Sequence, residues 1–152
     1  MRRIITRAGS ALALFLLAGC AAMAPQPVGL DDGRLKPCPD APHCVSSDET
    51  REGYAIAPLK AKGAAGAAWA TLVADVAAMP GVRAEASSTG YLHLTVRTPT
   101  MGYVDDVEFV LRADRGEIAM RSCSRLGYYD FGVNRDRLEA LRERLRAAGV
   151  VE

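Results

Sequence analysis

The sequence lacks the short motifs by which several classes of enzyme are recognised. It contains no G-x-S-x-G, no phosphate-binding loop and no H-E-x-x-H motif. Histidine is scarce, with two in 152 residues, and neither lies near Ser122 or Ser124, where it would activate a hydroxyl. The sequence therefore indicates no catalytic nucleophile, and it shows no internal repeat.

Long apolar runs and an excess of basic charge are also missing. The apolar run ALALFLLA at residues 11–18 is too short for a membrane-spanning helix, which needs roughly 20 residues. Lys and Arg number 19 against 18 Asp and Glu, so no basic field attracts nucleic acid or an anionic lipid surface. We expect no nucleic-acid partner.

The N-terminus reads as a leader rather than as part of a fold. Three arginines precede the apolar run, and LAGC follows it at residues 17–20, which resembles a bacterial lipoprotein signal. In that class the thiol of Cys20 receives a diacylglyceryl chain and the chain is cut just before it. The alternative is an ordinary secretory signal with an incidental cysteine, but the small residues before Cys20 favour a signal peptide over residues 1–19.

Cleavage would leave a lipid-anchored protein whose partner is first of all the membrane. The 19 basic groups fall to 16 against 18 acidic groups, a net charge of −2. Residues 20–36 are rich in Ala, Pro, Gly and Asp without apolar periodicity, which predicts a flexible tether before one domain at residues 37–152. Alanine at position 21, directly after the lipidated cysteine, is typical of lipoproteins that are sent to an outer membrane. In a Gram-negative host we therefore expect the protein on the periplasmic face of the outer membrane.

Cys38 and Cys44 bracket a proline-braced loop, and in an exported protein they predict a disulfide. A zinc site would recruit His43 and Cys123, but C-x5-C with one adjacent histidine is poor zinc spacing. Two free thiols are a third possibility. We therefore expect no metal and no cofactor, and a free thiol at Cys123.

The apolar periodicities predict an α+β domain. We expect a curved antiparallel sheet in the order β-α-β-β-β-β-α, with both helices packed on one face. The predicted strands cover residues 54–58, 82–86, 92–96, 107–111 and 118–120; the helices cover residues 64–79 and the stretch from an N-cap at Asn134 to Gly149. TATA-binding-protein-like and helix-grip folds share this order, an analogy that says nothing about function.

Matching the apolar faces of neighbouring strands predicts the register of two hairpins. The first hairpin should place Ala84 opposite Leu94, Ala86 opposite Leu92 and Glu85 opposite His93. The second should place Arg112 opposite Glu117, Glu108 opposite Arg121 and Phe109 opposite Met120.

The sheet face away from the helices should be polar, with a shaped loop beside it that is bracketed by Gly127 and Gly132. Its arginines could clamp a carboxylate or phosphate, and its aspartates could hold a cation or act as a base. The alternative is a solvated ladder of ion pairs worth ~0.2–1 kcal/mol each. The candidate ligand site comprises Arg97, Asp105, Asp106, Glu108, Arg121, Arg125, Tyr128, Asp130, Asn134 and Arg135.

Four motifs carry a family resemblance that spans nearly the whole predicted domain. CPDAPHCVSS at residues 38–47, YLH at 91–93, VDDVEF at 104–109 and RSCSRLGYYDFGVNR at 121–135 resemble those of the DUF1499 family. The resemblance implies a mostly bacterial family with no established activity, here as a lipoprotein member. Alanine often stands in the family where this chain has Cys123, which argues against a required role for that thiol.

Two hypotheses about function follow. The first is a non-enzymatic envelope module, a binding or scaffold protein whose partner is an envelope protein or a small anionic ligand. The second is an envelope hydrolase or transferase that uses the Asp/Arg cluster. An enzyme needs a carboxylate with a raised pKa inside a concave pocket, whereas adjacent carboxylates such as Asp105 and Asp106 point to opposite sides of a strand. The non-enzymatic module is the reading we favour.

Overall fold

The computed structural model describes residues 27–99 and 101–152. The predicted signal peptide, Cys20 and residues 20–26 of the predicted tether lie outside the described residues. The later part of that tether is structured: β1 (Leu30–Asp31) and β2 (Arg34–Leu35) form a two-stranded ribbon, and Leu35 is buried. Folded structure therefore begins before residue 37.

The predicted α+β class with an antiparallel sheet is confirmed. The strands that form the main sheet are β3 (Cys44–Ser46), β4 (Leu59–Lys60), β5 (Val82–Ser88), β6 (Tyr91–Arg97), β7 (Val104–Arg112) and β8 (Glu117–Ser124). Their order is β3-β8-β7-β6-β5, and β4 also pairs with β8. Helix α1 (Ala65–Ala77) lies between β4 and β5, and α2 (Val133–Ala147) follows β8. The predicted order is thus present from β4 onward, while β1, β2 and β3 precede it.

Both helices pack on one face of the sheet and form the apolar core. Each helix contributes a stripe at helical spacing, and the inward residues of β6, β7 and β8 face them. The principal core residues are Leu72, Val76, Leu94, Val96, Val107, Phe109, Ile118, Met120, Leu138, Leu141 and Leu145. Within the described ranges, neither helix is both long enough and apolar enough to cross a membrane.

The prediction of a strand at residues 54–58 is wrong. Ala55 forms a single parallel bridge with Ser46, and the strand β4 begins only after Pro58. The proline supplies no N–H to a sheet, so pairing starts beyond it. Tyr54 instead donates its hydroxyl to the carbonyl of Asp40 and packs on the loop of the two bonded cysteines.

Helix α1 lies within the predicted span of residues 64–79. Ala68, Leu72 and Val76 are its buried residues, and Trp69 packs at the margin of the core. Trp69 therefore packs against the core without being fully enclosed by it.

The first hairpin agrees with prediction at one end only. Ala84 lies opposite Leu94, but a β-bulge follows, so Ala86 lies opposite His93 and not Leu92. The predicted pairing of Glu85 with His93 is therefore wrong. The Glu85 carboxylate instead accepts a hydrogen bond from the hydroxyl of Thr95 at 2.8 Å. A bulge adds one residue to one strand, which shifts every later pair.

The second hairpin has the predicted register at all three pairs. Arg112 lies opposite Glu117, Glu108 opposite Arg121 and Phe109 opposite Met120. A short 3-10 turn at Ala113–Arg115 joins the strands. Strict alternation without a bulge is what made this register predictable.

The prediction that Asn134 is the N-cap of the last helix is wrong. The helix begins at Val133, with Gly132 at the N-cap position in a left-handed conformation (φ 85°). Asp130 provides the capping oxygens, because its carboxylate accepts from the backbone N–H groups of Gly132 at 3.0 Å and Asn134 at 2.9 Å. Asn134 thereby enters the first turn and points its side chain into the protein.

A glycine substitution tests the tight connection before β5. Gly81 has φ 76°, and a Cβ there would lie 2.7 Å from the carbonyl oxygen of Arg97. Gly53 has φ 84° with nothing near its position, so Gly53→Ala should lower the free energy of unfolding by about 1–2 kcal/mol from backbone strain alone. Gly81→Ala should lower it by about 1–3 kcal/mol more, measured by urea unfolding. Equal losses would contradict the close approach.

Candidate functional site

The polar sheet face is enclosed rather than open to solvent. Asp106, Glu108 and Arg121 are completely buried. The chain before β4 covers them, and its backbone N–H at Gly29 donates to one oxygen of Glu108 at 2.6 Å. The hydroxyl of Tyr91 on β6 donates to the same oxygen at 2.8 Å. The alternative of a solvated ladder of ion pairs does not describe this face.

The pair of Glu108 and Arg121 lies at the centre of this enclosed region. Nη1 of Arg121 donates to Oε2 of Glu108 at 2.8 Å, and neither side chain is exposed. Nε and Nη2 of Arg121 have no hydrogen-bond partner among the described residues. A buried charge loses its hydration, so each ion depends on the other and on the strands that hold them together.

A second ion cluster lies beside the first pair. Oδ1 of Asp106 accepts from Nε2 of His93 at 2.8 Å, and Arg125 donates to both carboxylate oxygens at 2.7 and 2.9 Å. Burial raises the pKa of Asp106, but the hydrogen bonds from His93 and Arg125 outweigh it and hold that pKa at about 2. Arg125 is therefore paired with Asp106.

Asp105 belongs to a separate cluster on the helix side of the sheet. Arg137 from α2 donates to Asp105 at 2.5 Å and to the side-chain oxygen of Asn134 at 2.7 Å. The amide nitrogen of Asn134 lies within hydrogen-bonding distance of the His43 carbonyl, Ser124 and Asp130, at 2.8–2.9 Å. Asn134 thus ties the sheet, the helix and the cystine loop together.

Sequence reasoning missed Arg137, and a signal for it was available. Arg137 lies three residues after Asn134, which places both side chains on one face of the helix. Ser122 and Ser124 also join this cluster, because both form hydrogen bonds with Asn134. They alternate along β8 in phase with its core residues, so the sequence pattern does not mark them as part of a polar site. The carbonyl of His43 is a backbone contact that no residue type predicts.

Three of the candidate residues do not converge with the rest. Arg97 is exposed and donates to the carbonyl of Gly102 at 2.9 Å. Arg135 donates to the carbonyls of Gly53 and Ala55, both at 2.9 Å. Tyr128 is 74% exposed on the loop before α2.

The predicted disulfide joins Cys38 to Cys44, and Cys123 is free and buried against it. Burial is the main reason that the pKa of the Cys123 thiol is raised to about 12; Arg121 opposes the rise, and the nearby carboxylates Asp106 and Asp105 add to it. A thiol in this setting is protonated and inert. Over the described ranges, no group of three or more His, Cys, Asp or Glu side chains is placed to hold a metal ion.

A different surface stands out at one end of the sheet. The β6–β7 loop and the β8–α2 loop border an open groove of about 510 Å³. Seven large apolar side chains on these loops are exposed, and we call them the apolar loop surface: Met101, Tyr103, Leu126, Tyr128, Tyr129, Phe131 and Val133. Of these residues only Tyr128 belonged to the predicted ligand site, because aromatic side chains in an irregular loop show no periodicity from which their exposure could be predicted.

The comparisons with known proteins identify a family and no activity. A family model described as "Protein of unknown function (DUF1499)" matches residues 34–145. No curated protein and no solved structure matches the chain.

Truncation of the central ion pair should show how strongly it is desolvated. Arg121→Ala leaves Glu108 charged and buried, so the free energy of unfolding should fall by about 3–5 kcal/mol. The matched control is Arg146→Ala, which breaks an exposed pair with Glu143 and should lose less than about 1 kcal/mol. A cycle with Glu108→Ala and the double variant should show coupling in urea unfolding. Similar losses at positions 121 and 146 would contradict the buried pair.

The low pKa of Asp106 predicts how stability depends on pH. That pKa is about 2 in the folded protein and about 3.9 in an unfolded chain, so ionised Asp106 contributes about 2.5 kcal/mol at neutral pH. The contribution is complete above about pH 5 and is lost as the pH falls through about 2. Urea unfolding over that range should show the advantage of the wild type over Asp106→Asn shrinking, with the exposed Asp114→Asn as control. A pH-independent difference would refute the assignment.

Proposed function

The chain belongs to the DUF1499 family of proteins of unknown function, and from this premise we propose that it is a non-enzymatic binding module anchored at a membrane of the cell envelope. One observation carries the non-enzymatic part. Three of the four acidic residues of the predicted site are paired with basic side chains inside the protein: Arg137 binds Asp105, His93 and Arg125 bind Asp106, and Arg121 binds Glu108. The fourth, Asp130, accepts from the backbone at the start of α2.

This arrangement supports a scaffold rather than a catalytic centre. A general base works best when its pKa lies near the pH of the reaction, which requires a raised value for a carboxylate. The pKa of Asp106 is instead lowered to about 2, and both its oxygens are occupied. The pKa of the Cys123 thiol is raised to about 12, so the thiol stays protonated and is poorly suited as a nucleophile.

Membrane anchoring rests on Cys20 in LAGC, and the folded region is compatible with it. The backbone of Gly29 is fixed on Glu108, which leaves the eight residues 21–28 between the anchor and the domain. The nine steps from Cys20 to Gly29 span at most about 30 Å, so a lipid on Cys20 would keep the domain at the membrane surface. The disulfide fits an oxidising compartment, and Ala21 favours the periplasmic face of an outer membrane in a Gram-negative host.

Mass spectrometry of the protein extracted from membranes tests the anchor. We expect an N-terminal peptide that begins at Cys20 and carries a diacylglyceryl group, with the protein in the membrane fraction. Cys20→Ser should prevent both processing and lipid attachment, because no thiol remains to be modified. A soluble wild-type product with unmodified Cys20 would disprove the anchored module.

A further inference from the structure

We propose that the apolar loop surface is a second membrane contact, which seats the domain in the interface between lipid and water. The inference names the bilayer as the partner of the binding module and rests on the proposed function for the domain's place at a membrane.

The distribution of exposed apolar side chains is the first observation. Eight large hydrophobic residues are exposed in the described part of the chain, and seven of them lie on these two loops; the eighth is Leu30. Phe131 is 84% exposed, Tyr128 74% and Met101 65%, so these three form protruding tips rather than the walls of a closed pocket. A concentrated apolar patch on an otherwise polar surface marks an interaction site.

The second observation is that these loops present no free charge. Asp130 carries the only charged side chain among residues 126–133, and its carboxylate is turned inward to accept from Gly132 and Asn134. Arg97 and Asp136 flank the surface with opposite signs. Insertion into the interface therefore requires desolvation of apolar and tyrosyl groups only, which lipid interfaces favour.

The third observation is that the fold holds the tips outward. Phe131 has φ 56°, a left-handed conformation that costs about 1–2 kcal/mol in a residue with a Cβ. Gly132 beside it, at φ 85°, is the N-cap of α2, and the rings of Tyr129 and Phe131 pack edge to face at 5.1 Å. A strained phenylalanine that is 84% exposed contributes little to the core, which favours a contact outside the domain as the reason for its position.

The length of the tether favours the bilayer over other occupants. A reach of about 30 Å is close to the diameter of a domain of this size, so the anchored domain cannot move far from the lipid surface. The two acyl chains of a diacylglyceryl group hold the domain there, and a contact made by the domain itself would fix its orientation on the lipid surface. Because the mature chain has no basic excess, an apolar contact such as these loops provide suits that role better than an electrostatic one.

Vesicle flotation without the lipid anchor tests this surface directly. The protein is the chain from residue 20 with Cys20→Ser, which keeps every described residue. We expect it to float with phosphatidylcholine vesicles, with little added effect of phosphatidylglycerol. The double variant Tyr128→Ser/Phe131→Asn should reduce partitioning by about tenfold or more, since two large aromatic side chains lose their burial. Asparagine tolerates the left-handed conformation at position 131.

Leu30→Ser is the matched control, because it removes the one exposed large hydrophobic residue away from the loops. It should float like the parent protein, and all variants should keep the parent's unfolding midpoint. No flotation of the parent, or equal loss with Leu30→Ser, would overturn the proposal. Dimerisation in analytical ultracentrifugation that the double variant abolishes would also overturn it and assign the surface to a second copy. Acylation of Cys20 is tested by mass spectrometry of the wild-type protein, whereas flotation uses a protein without the lipid. A failure of one proposal can therefore be distinguished from a failure of the other.

Discussion

The structure depends on the buried pairing of Glu108 with Arg121. Both ions are completely enclosed, and the glutamate also holds the N-terminal segment through Gly29 and strand β6 through the hydroxyl of Tyr91. Separation of the pair leaves a charge in a region closed to bulk solvent, so the neighbouring strands are constrained to keep their register. The β7–β8 hairpin and the covering segment are therefore one cooperative unit.

The remaining charged residues extend this constraint to both helix and loop. Asp106 gathers Arg125 and His93 on the covered face, while Asp105 binds Arg137 of α2 on the other. Asn134 then connects the helix to the strand end and to the cystine loop. The rigid frame created in this way ends at the apolar loop surface, whose side chains are held outward. The buried polar residues thus fix the fold, and the surface exposed at the end of this frame is apolar.

Much of the fold could be predicted because local patterns were regular. The β7–β8 register followed from alternation and two opposite-charge pairs, and α1 followed from its stripe and the Pro80-Gly81 stop. The failures have local physical causes. A bulge at Glu85 leaves no mark in composition, and Asp130 took the capping role that Asn134 is equally suited to fill. The strand expected at residues 54–58 does not form; Tyr54 instead lies in a turn, where its hydroxyl donates to the carbonyl of Asp40.

The sequence by itself determined the α+β class, the disulfide between Cys38 and Cys44, and the identity of the opposed pair of Glu108 and Arg121. These depend on residue type and on spacings that repeat along one or two strands. Only the tertiary structure decided that this pair is buried, that Arg137 joins Asp105, and that Phe131 borders the same groove as Met101. Burial depends on what covers a strand, and here the cover comes from residues 29–49, far away in the chain. No periodicity reports such distant contacts, so exposure and partner choice are properties of the assembled fold.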